Sequence, residues 1–105
     1  MQRGEVWWAN LPGSAGRRPV LLLTRDEAYS VRELVTVAPI TTRKRNLPVE
    51  VPLGKRDGLP KACVANLDII TTIPKKLLEN RITLLRAPLM QAVEEALRFA
   101  LGLDE

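Results

Sequence analysis

The sequence predicts a small, mainly β fold of the α+β type, in which short strands build a barrel-like sheet. Two observations indicate this class. Short β-favouring segments follow one another between loops rich in glycine, proline and charged residues. The one long helical pattern, with apolar residues three and four positions apart, stands near the C-terminus. Five or six strands with short helical turns and a C-terminal helix therefore describe the expected architecture.

The first half of the chain reads as three strands. Residues 4–11 are β-favouring, and residues 12–16 form a loop by composition. The apolar run at residues 19–24 predicts a strand that is buried on both faces. Residues 25–30 predict a helical turn or a loop. Residues 33–42 form a third strand, which should end or reach a sheet edge at Pro39, because proline cannot donate to a ladder.

The second half begins with a basic turn at residues 43–46. Residues 48–53 contain two prolines and predict an edge strand with Val49, Val51 and Leu53 facing inward. A turn-rich loop follows at residues 54–60. Residues 62–73 are β-rich, with a bend expected at Asn66 and Asp68. Residues 74–79 predict a short helical turn, and residues 81–85 predict the last strand.

Residues 88–101 predict the C-terminal helix. Pro88 suits its first turn and Gly102 suits its stop. One side of the helix carries an apolar stripe, which should pack onto a sheet or a neighbouring subunit. The stripe consists of Leu89, Val93, Ala96, Leu97, Ala100 and Leu101.

Length and composition indicate one globular domain over residues 1–105. The chain has 105 residues, of which 46% are hydrophobic, and this is enough for a modest core. The single cysteine, Cys63, excludes an internal disulfide and is interpreted as a small buried residue in a reducing compartment. Histidine is absent from the sequence, which removes the commonest general base and metal ligand. We therefore expect no metal and no cofactor.

Charge and termini indicate the kind of partner and the compartment. The N-terminus carries charge and leads directly into a strand pattern, unlike a signal peptide. No apolar run is long enough to span a bilayer, so we expect a cytoplasmic protein without a membrane partner. The formal net charge of +4 points to a polyanion or an acidic protein as the partner.

An anion site is predicted where the buried strand begins. Pro19 fixes its own φ and favours extended geometry for Arg18, so this guanidinium is held rigidly beside Arg17. Thr41 and Thr42 end the third strand, and the ends of strands two and three can be neighbours in a small barrel. Guanidiniums bind phosphoryl oxygens in a bidentate manner, and threonine hydroxyls add donors. These four residues would form a phosphate site.

Basic loop residues around this site would follow a nucleic-acid backbone. They are Arg43, Lys44, Arg45, Lys55 and Arg56. Taken alone, each of these features is also typical of an ordinary solvated surface. Trp7 and Trp8 are interpreted as core and interface residues rather than as platforms for stacked bases.

The order of the motifs along the chain resembles the MazF/PemK family of toxin–antitoxin ribonucleases. The motifs are GEVWW (4–8), GSAGRRPVL (13–21), VAPITT (37–42), LPVEV (47–51), GLPK (58–61), NLD (66–68) and LRFALGL (97–103). The sequence departs from many relatives in two places. A glutamate is absent between Ser14 and the arginines, and Ile69 and Thr71 stand where relatives carry glutamine and arginine.

The resemblance implies an SH3-like barrel with a terminal helix, of the CcdB/PemK kind, assembled as a homodimer. It implies cleavage of single-stranded RNA at short sequences without a metal, and inhibition by an acidic, MazE-like antitoxin. The family's functional arginine precedes the proline and maps to Arg18. Its functional threonine follows the isoleucine and maps to Thr41. Arg17, Thr42 and the five basic loop residues would then bind RNA.

Metal-free RNA cleavage usually proceeds by attack of the ribose 2′-hydroxyl on the adjacent phosphorus. Arg18 suits stabilisation of the phosphorane charge, and Thr41 suits hydrogen bonding to a phosphoryl oxygen or the 2′-hydroxyl. The proton acceptor stays open among water, a backbone carbonyl and a transiently deprotonated Arg18. Two other functions use similar features, namely a CcdB-like gyrase-binding toxin and a non-catalytic RNA-binding module. The presence of both Arg18 and Thr41 favours the enzyme.

Overall fold

The computed structural model describes residues 1–13 and 16–103, and these form seven strands, four short 3-10 turns and one α-helix. The strands are β1 (Glu5–Leu11), β2 (Gly16–Leu22), β3 (Leu34–Thr41), β4 (Glu50–Leu53), β5 (Cys63–Asn66), β6 (Thr71–Pro74) and β7 (Leu78–Leu84). The helix α1 spans Ala87–Leu101, and the 3-10 turns are Asp26–Ala28, Lys55–Asp57, Leu67–Ile69 and Lys75–Leu77. The expected mainly β class with short helical turns and a C-terminal helix is confirmed. Ser14 and Ala15 of the predicted loop lie outside the described residues.

The strands form one antiparallel sheet in the order β4-β5-β3-β2-β1-β7, with β6 added beside β3. β3 is the organising strand, because β2 pairs with one of its edges while β6 and then β5 pair with the other. In the described parts of the chain β4 and β7 end the path without pairing with each other, so the sheet is open. The strand pairing therefore does not directly show the SH3-like barrel that was expected.

Strand β2 carries core residues on both of its faces. Leu21 belongs to an apolar cluster with Val6 and Val93 of α1, whereas Val20 and Leu22 belong to a second cluster on the other face. All three residues of β2 have an exposed fraction of 0%. The prediction of a strand buried on both faces is thus confirmed for this part of the run.

Several predicted boundaries need correction. Pro39 lies inside β3, and the strand continues to Thr41 by pairing with β5. Only the pairing with β2 stops at Pro39, which has no N–H to donate. The β-rich segment 62–73 is split into β5 and β6 by a 3-10 turn, in which the Asn66 side chain accepts from the Asp68 N–H at 2.9 Å. This is the bend that was predicted.

The C-terminal helix packs against β4 and the Leu67–Ile69 turn. Val93 and Ala96 are buried as predicted, but Leu101 is exposed, so the apolar stripe does not bury its last residue. Gly102 adopts a left-handed conformation with φ of 67° and its N–H caps the helix, as expected for the stop. None of the helices in the described part of the chain is long and apolar enough to cross a membrane.

Candidate nucleic-acid site

The register of β2 and β3 places Arg18 opposite Thr41. The last paired residues are Val20 and Pro39, and one step back along β2 corresponds to one step forward along β3. If this register is continued by two residues on each strand, Arg18 comes opposite Thr41. Pro19 lies between and has no N–H for the ladder, which accounts for the end of the pairing there. The predicted proximity of the two strand ends is thus present.

Two cavities meet at Arg18 and Thr41, because these two residues line both of them. The first cavity has a volume of about 290 Å³ and is lined by Trp8, Arg17, Arg18, Pro19, Ile40, Thr41, Thr42, Leu59, Pro60, Lys61 and Cys63. The second has a volume of about 190 Å³ and is lined by Arg18, Pro39, Thr41, Arg43, Arg45, Asn66 and Ile69. A ligand that extends through both cavities would pass over Arg18 and Thr41.

Arg18 is half-buried, and its Nε is completely buried without a hydrogen-bond partner among the described residues. Strand alternation puts its side chain on the same face of β2 as the core residues Val20 and Leu22. A buried donor without a partner costs about 1–3 kcal/mol. The fold therefore buries this donor at a cost in stability, and no described residue uses its hydrogen-bonding capacity.

The hydroxyl of Thr41 is oriented by the backbone that follows it. The N–H of Arg43 donates to Thr41 Oγ1 at 3.2 Å. Because this bond uses an acceptor position of the oxygen, the hydroxyl proton stays available for donation to a ligand. Thr41 thus presents a donor beside the guanidinium of Arg18. Thr42 is exposed and lines the first cavity.

Arg17 differs from Arg18 in its exposure and in its polar contacts, although both residues line the first cavity. It is exposed, and alternation along β2 directs its side chain to the opposite face of the strand. Its Nε donates to Glu79 Oε1 at 2.9 Å, and its guanidinium carbon lies 4.4 Å from the ring centroid of Trp8. The two adjacent arginines therefore have different surroundings, although both line the first cavity.

The basic segment after β3 is folded around the buried carboxylate of Glu50. Glu50 Oε1 accepts from the backbone N–H groups of Arg45 at 2.9 Å and Leu47 at 3.4 Å, while Arg45 Nε approaches Oε2 at 3.5 Å. Burial alone would raise the pKa of Glu50, but these hydrogen bonds outweigh it and hold the pKa below its ordinary value of 4.5. Glu50 thereby supports the segment that brings Arg43 and Arg45 to the second cavity. Lys44 is exposed.

Lys55 and Arg56 lie outside the two cavities at Arg18 and Thr41. They belong to the 3-10 turn Lys55–Asp57 and line a separate cavity of about 420 Å³, together with Arg86 and Leu89. The structure does not bring either residue into the two cavities at Arg18. The predicted role of these two residues in RNA binding therefore gains no support from their position.

Among the lining residues that sequence reasoning did not assign to the site, three carry side chains suited to contacts with a nucleic acid. Lys61 and Trp8 line the first cavity and Asn66 lines the second. A signal for Lys61 was available, because the GLPK motif directly precedes the strand that pairs with Thr41 through Val64. Trp8 had been interpreted as a core or interface residue.

Cys63 also lines the first cavity, and it is buried as predicted. Burial, and secondarily the charge of Asp57, raises the pKa of its thiol. The side chain therefore stays a neutral thiol, which is a poor nucleophile.

The electrostatic character of the two cavities is cationic. Five basic side chains line them, and none of the described residues in either lining is a carboxylate. The basic residues are Arg17, Arg18, Arg43, Arg45 and Lys61. A small open β-sheet that carries a half-buried arginine with an unpartnered Nε next to an oriented hydroxyl has the features expected of a phosphodiester-binding class of protein.

Comparison with known proteins identifies the family within this class. The chain belongs to the PemK-like, MazF-like toxins of type II toxin–antitoxin systems, which it matches over residues 2–101. It is 38% identical over 103 residues to the probable endoribonuclease MazF2 of Mycobacterium tuberculosis, covering 97% of this chain and 99% of that relative. The family inferred from the motifs is therefore confirmed.

Solved structures give the same result. The Mycobacterium tuberculosis toxin MazF-mt6 superposes with a TM-score of 0.87 at 38% identity, covering 93% of this chain and 96% of that chain. An endoribonuclease in complex with its cognate antitoxin, from a mycobacterial species, superposes with a TM-score of 0.87 at 29% identity. That match covers 98% of this chain and 96% of the other.

Proposed function

We propose that this chain is the toxin of a toxin–antitoxin system and a metal-independent, sequence-specific endoribonuclease that cleaves single-stranded RNA. The observation that carries the proposal is that Arg18 and Thr41 both line the two cationic cavities and therefore lie where these cavities meet. Relatives that are curated as endoribonucleases support the same activity. The RNA backbone would run from one cavity to the other, with the scissile phosphate between them.

In the proposed reaction the ribose 2′-oxygen attacks the adjacent phosphorus and the bond to the 5′-oxygen breaks. The products are a 2′,3′-cyclic phosphate and a 5′-hydroxyl, and the proton of the 2′-hydroxyl is removed while the leaving oxygen gains one. Arg18 donates to the phosphoryl oxygens, on which negative charge accumulates in the transition state. Thr41 donates a hydrogen bond to a phosphoryl oxygen or to the 2′-hydroxyl and fixes the phosphate against Arg18.

None of the described residues that line the two cavities is a carboxylate that could accept this proton. Cys63 is unsuitable because its raised pKa keeps the thiol protonated. The remaining candidates are water, a backbone carbonyl and a transiently deprotonated Arg18. Rate measurements over a range of pH would distinguish an acceptor that titrates from one that does not.

The proposal includes two partners besides RNA. A homodimer is supported by exposed apolar residues at the end of α1, where the exposed fractions are 61% for Phe99, 55% for Leu101 and 66% for Leu103. An acidic, MazE-like antitoxin is supported by the cationic lining of both cavities, because a peptide bound there would compete with RNA. A toxin that acts on mRNA would work in the cytoplasm.

The test is incubation of the purified protein with single-stranded RNA in EDTA, followed by sequencing and end-group analysis of the fragments. We expect cyclic phosphate ends at one short sequence, and we expect Arg18→Ala to reduce the rate by about a thousandfold or more. Thr41→Ala should also abolish cleavage. Arg32→Ala is the matched control, because Arg32 is an exposed cation that lines neither cavity.

A fully active Arg18→Ala protein would overturn the assignment of this residue. Intact RNA together with inhibition of gyrase supercoiling would favour the gyrase-binding alternative. RNA binding without cleavage would favour a non-catalytic RNA-binding module. Thermal unfolding of each variant separates loss of activity from loss of folding.

A further inference from the structure

We propose that Arg17 and Trp8 form a stacking platform for an unpaired RNA base, so that adjacent arginines bind different parts of one nucleotide chain. Arg17 would bind a base, whereas Arg18 would bind the phosphate. The inference rests on the proposed function, which it makes more specific. It assigns to Arg17 a task other than the phosphate contact that its sequence position beside Arg18 suggests.

The first observation is the geometry of the Arg17 guanidinium. Its central carbon lies 4.4 Å from the centroid of the Trp8 ring, which is within the range of a cation–π contact. Nε donates to Glu79 Oε1 at 2.9 Å, so Glu79 holds the group by an edge. Trp8 on one side and Glu79 at the edge leave the outer surface of the group accessible, consistent with the 49% exposure of the Arg17 side chain.

The second observation is the distribution of charge. The ion pair with Glu79 offsets the charge of Arg17 and reduces its attraction for a phosphate. Arg18 has no such partner among the described residues, and its buried Nε makes no hydrogen bond. An RNA phosphate is therefore attracted more strongly to Arg18. Arg17 retains the property that an ion pair does not remove, a flat cationic surface on which a base can stack.

The third observation is the position of the platform. Arg17 and Trp8 line the first cavity, where Arg18 and Thr41 also lie. The remaining wall is largely apolar and includes Pro19, Ile40, Leu59 and Pro60, a surface that suits a base rather than a phosphate. The stacked base would thus belong to a nucleotide next to the scissile phosphate.

The test uses Thr41→Ala protein as the parent, so that RNA is bound without cleavage. Two further variants, Arg17→Lys and Arg17→Ala, are compared with this parent by measuring oligonucleotide affinity over a range of salt concentrations. Lysine keeps the charge but lacks the flat surface. We expect both variants to bind about 5- to 150-fold more weakly, which is the loss for one stacked base. The dependence of affinity on salt should stay that of the parent.

A phosphate contact gives a different pattern. Arg17→Lys would then bind like the parent, and Arg17→Ala would lower the slope of log affinity against log salt by about 0.7. Either result would overturn the proposal. Arg18→Ala in the same parent is the positive control, because it should reduce that slope.

A second measurement identifies the stacked base. A series of oligonucleotides carries one abasic site at each position around the cleavage point. We expect one position to weaken binding to the parent and to have no effect on the Arg17→Ala variant, because the two changes remove the same contact. If every abasic site weakens binding equally in both proteins, the platform does not exist. Failure of the proposed function is distinct, since the parent would then not bind RNA and the protein with Thr41 would not cleave it.

Discussion

Replacement of Arg18 by methionine should make the protein more stable while it removes the proposed activity. The side chain lies on the face of β2 that carries Val20 and Leu22, and its Nε is buried without a partner. Methionine has a similar length and no polar atom, so it removes the unmet donor without opening a cavity. The cost of such a donor is about 1–3 kcal/mol. We expect a net gain in the free energy of unfolding of about 1–2 kcal/mol, because part of the packing of the arginine stem is lost.

The gain corresponds to a rise in Tm of about 4–8 °C for each kcal/mol in a domain of this size. Urea unfolding gives the free energy directly, and the slope with denaturant should not change. Arg17→Met is the matched control and should have the opposite sign. Arg17 is exposed and makes a cation–π contact and an ion pair, whose loss should cost about 1 kcal/mol or less.

The reasoning would be refuted by an Arg18→Met protein that is less stable than the wild type, while Arg17→Met shows the small loss expected of it. Such a result would mean that the folded protein itself satisfies the hydrogen-bonding groups of Arg18. The same variant should show no RNA cleavage, so the two measurements together test whether stability has been given up for function.

Three further predictions follow from other sites. The pKa of Glu50 is lowered from 4.5 in the folded state, so its contribution to stability is present above pH 4.5 and is lost as the pH falls through the folded-state pKa. Glu50→Gln should therefore weaken the fall of Tm with decreasing pH on the acid side. The same fall of Tm in the variant and the wild type would contradict this prediction. Gly58→Ala should lower the unfolding free energy by about 2–5 kcal/mol, because φ is +98° and an added Cβ would lie 2.6 Å from Thr83 Oγ1. The additional change Thr83→Gly should restore only the share of this loss that comes from the steric overlap with Thr83. Denaturant unfolding measures both free energies. Phe99→Ser should abolish the dependence of Tm on protein concentration that a homodimer shows, and an unchanged dependence would place the dimer contact elsewhere.

The sequence predicted what depends on local patterns. The apolar run of β2 was enough to predict its burial, and the order of strands and helix was enough to predict the class. Pro39 gave a local sign that the pairing of β3 changes at this residue. The approach of Arg18 to Thr41 was expected because the ends of two strands that are adjacent in the chain can be neighbours.

Features that depend on side-chain contacts and on strand pairing were beyond the local pattern. Glu50 alternates with the inward-facing Val49 and Val51, yet its carboxylate is buried, because it accepts the backbone N–H groups of Arg45 and Leu47. Lys61 enters the site because β5 pairs with β3. The GLPK motif marked this residue, but it did not indicate which strand the following segment would pair with. The different surroundings of Arg17 likewise depend on Glu79, which comes from β7.

The two cavities have a consequence for how such a toxin can change its target. Arg18 and Thr41 stand on paired strands, whereas much of the surrounding wall comes from residues 43–45 and 59–61, which lie outside strands and helices. Segments of this kind accept substitutions more readily than the scaffold that carries them. Recognition of the RNA sequence could thus diverge while the proposed catalytic pair, Arg18 and Thr41, stays constant. Libraries confined to these two segments would be a direct route to nucleases with new cleavage sequences.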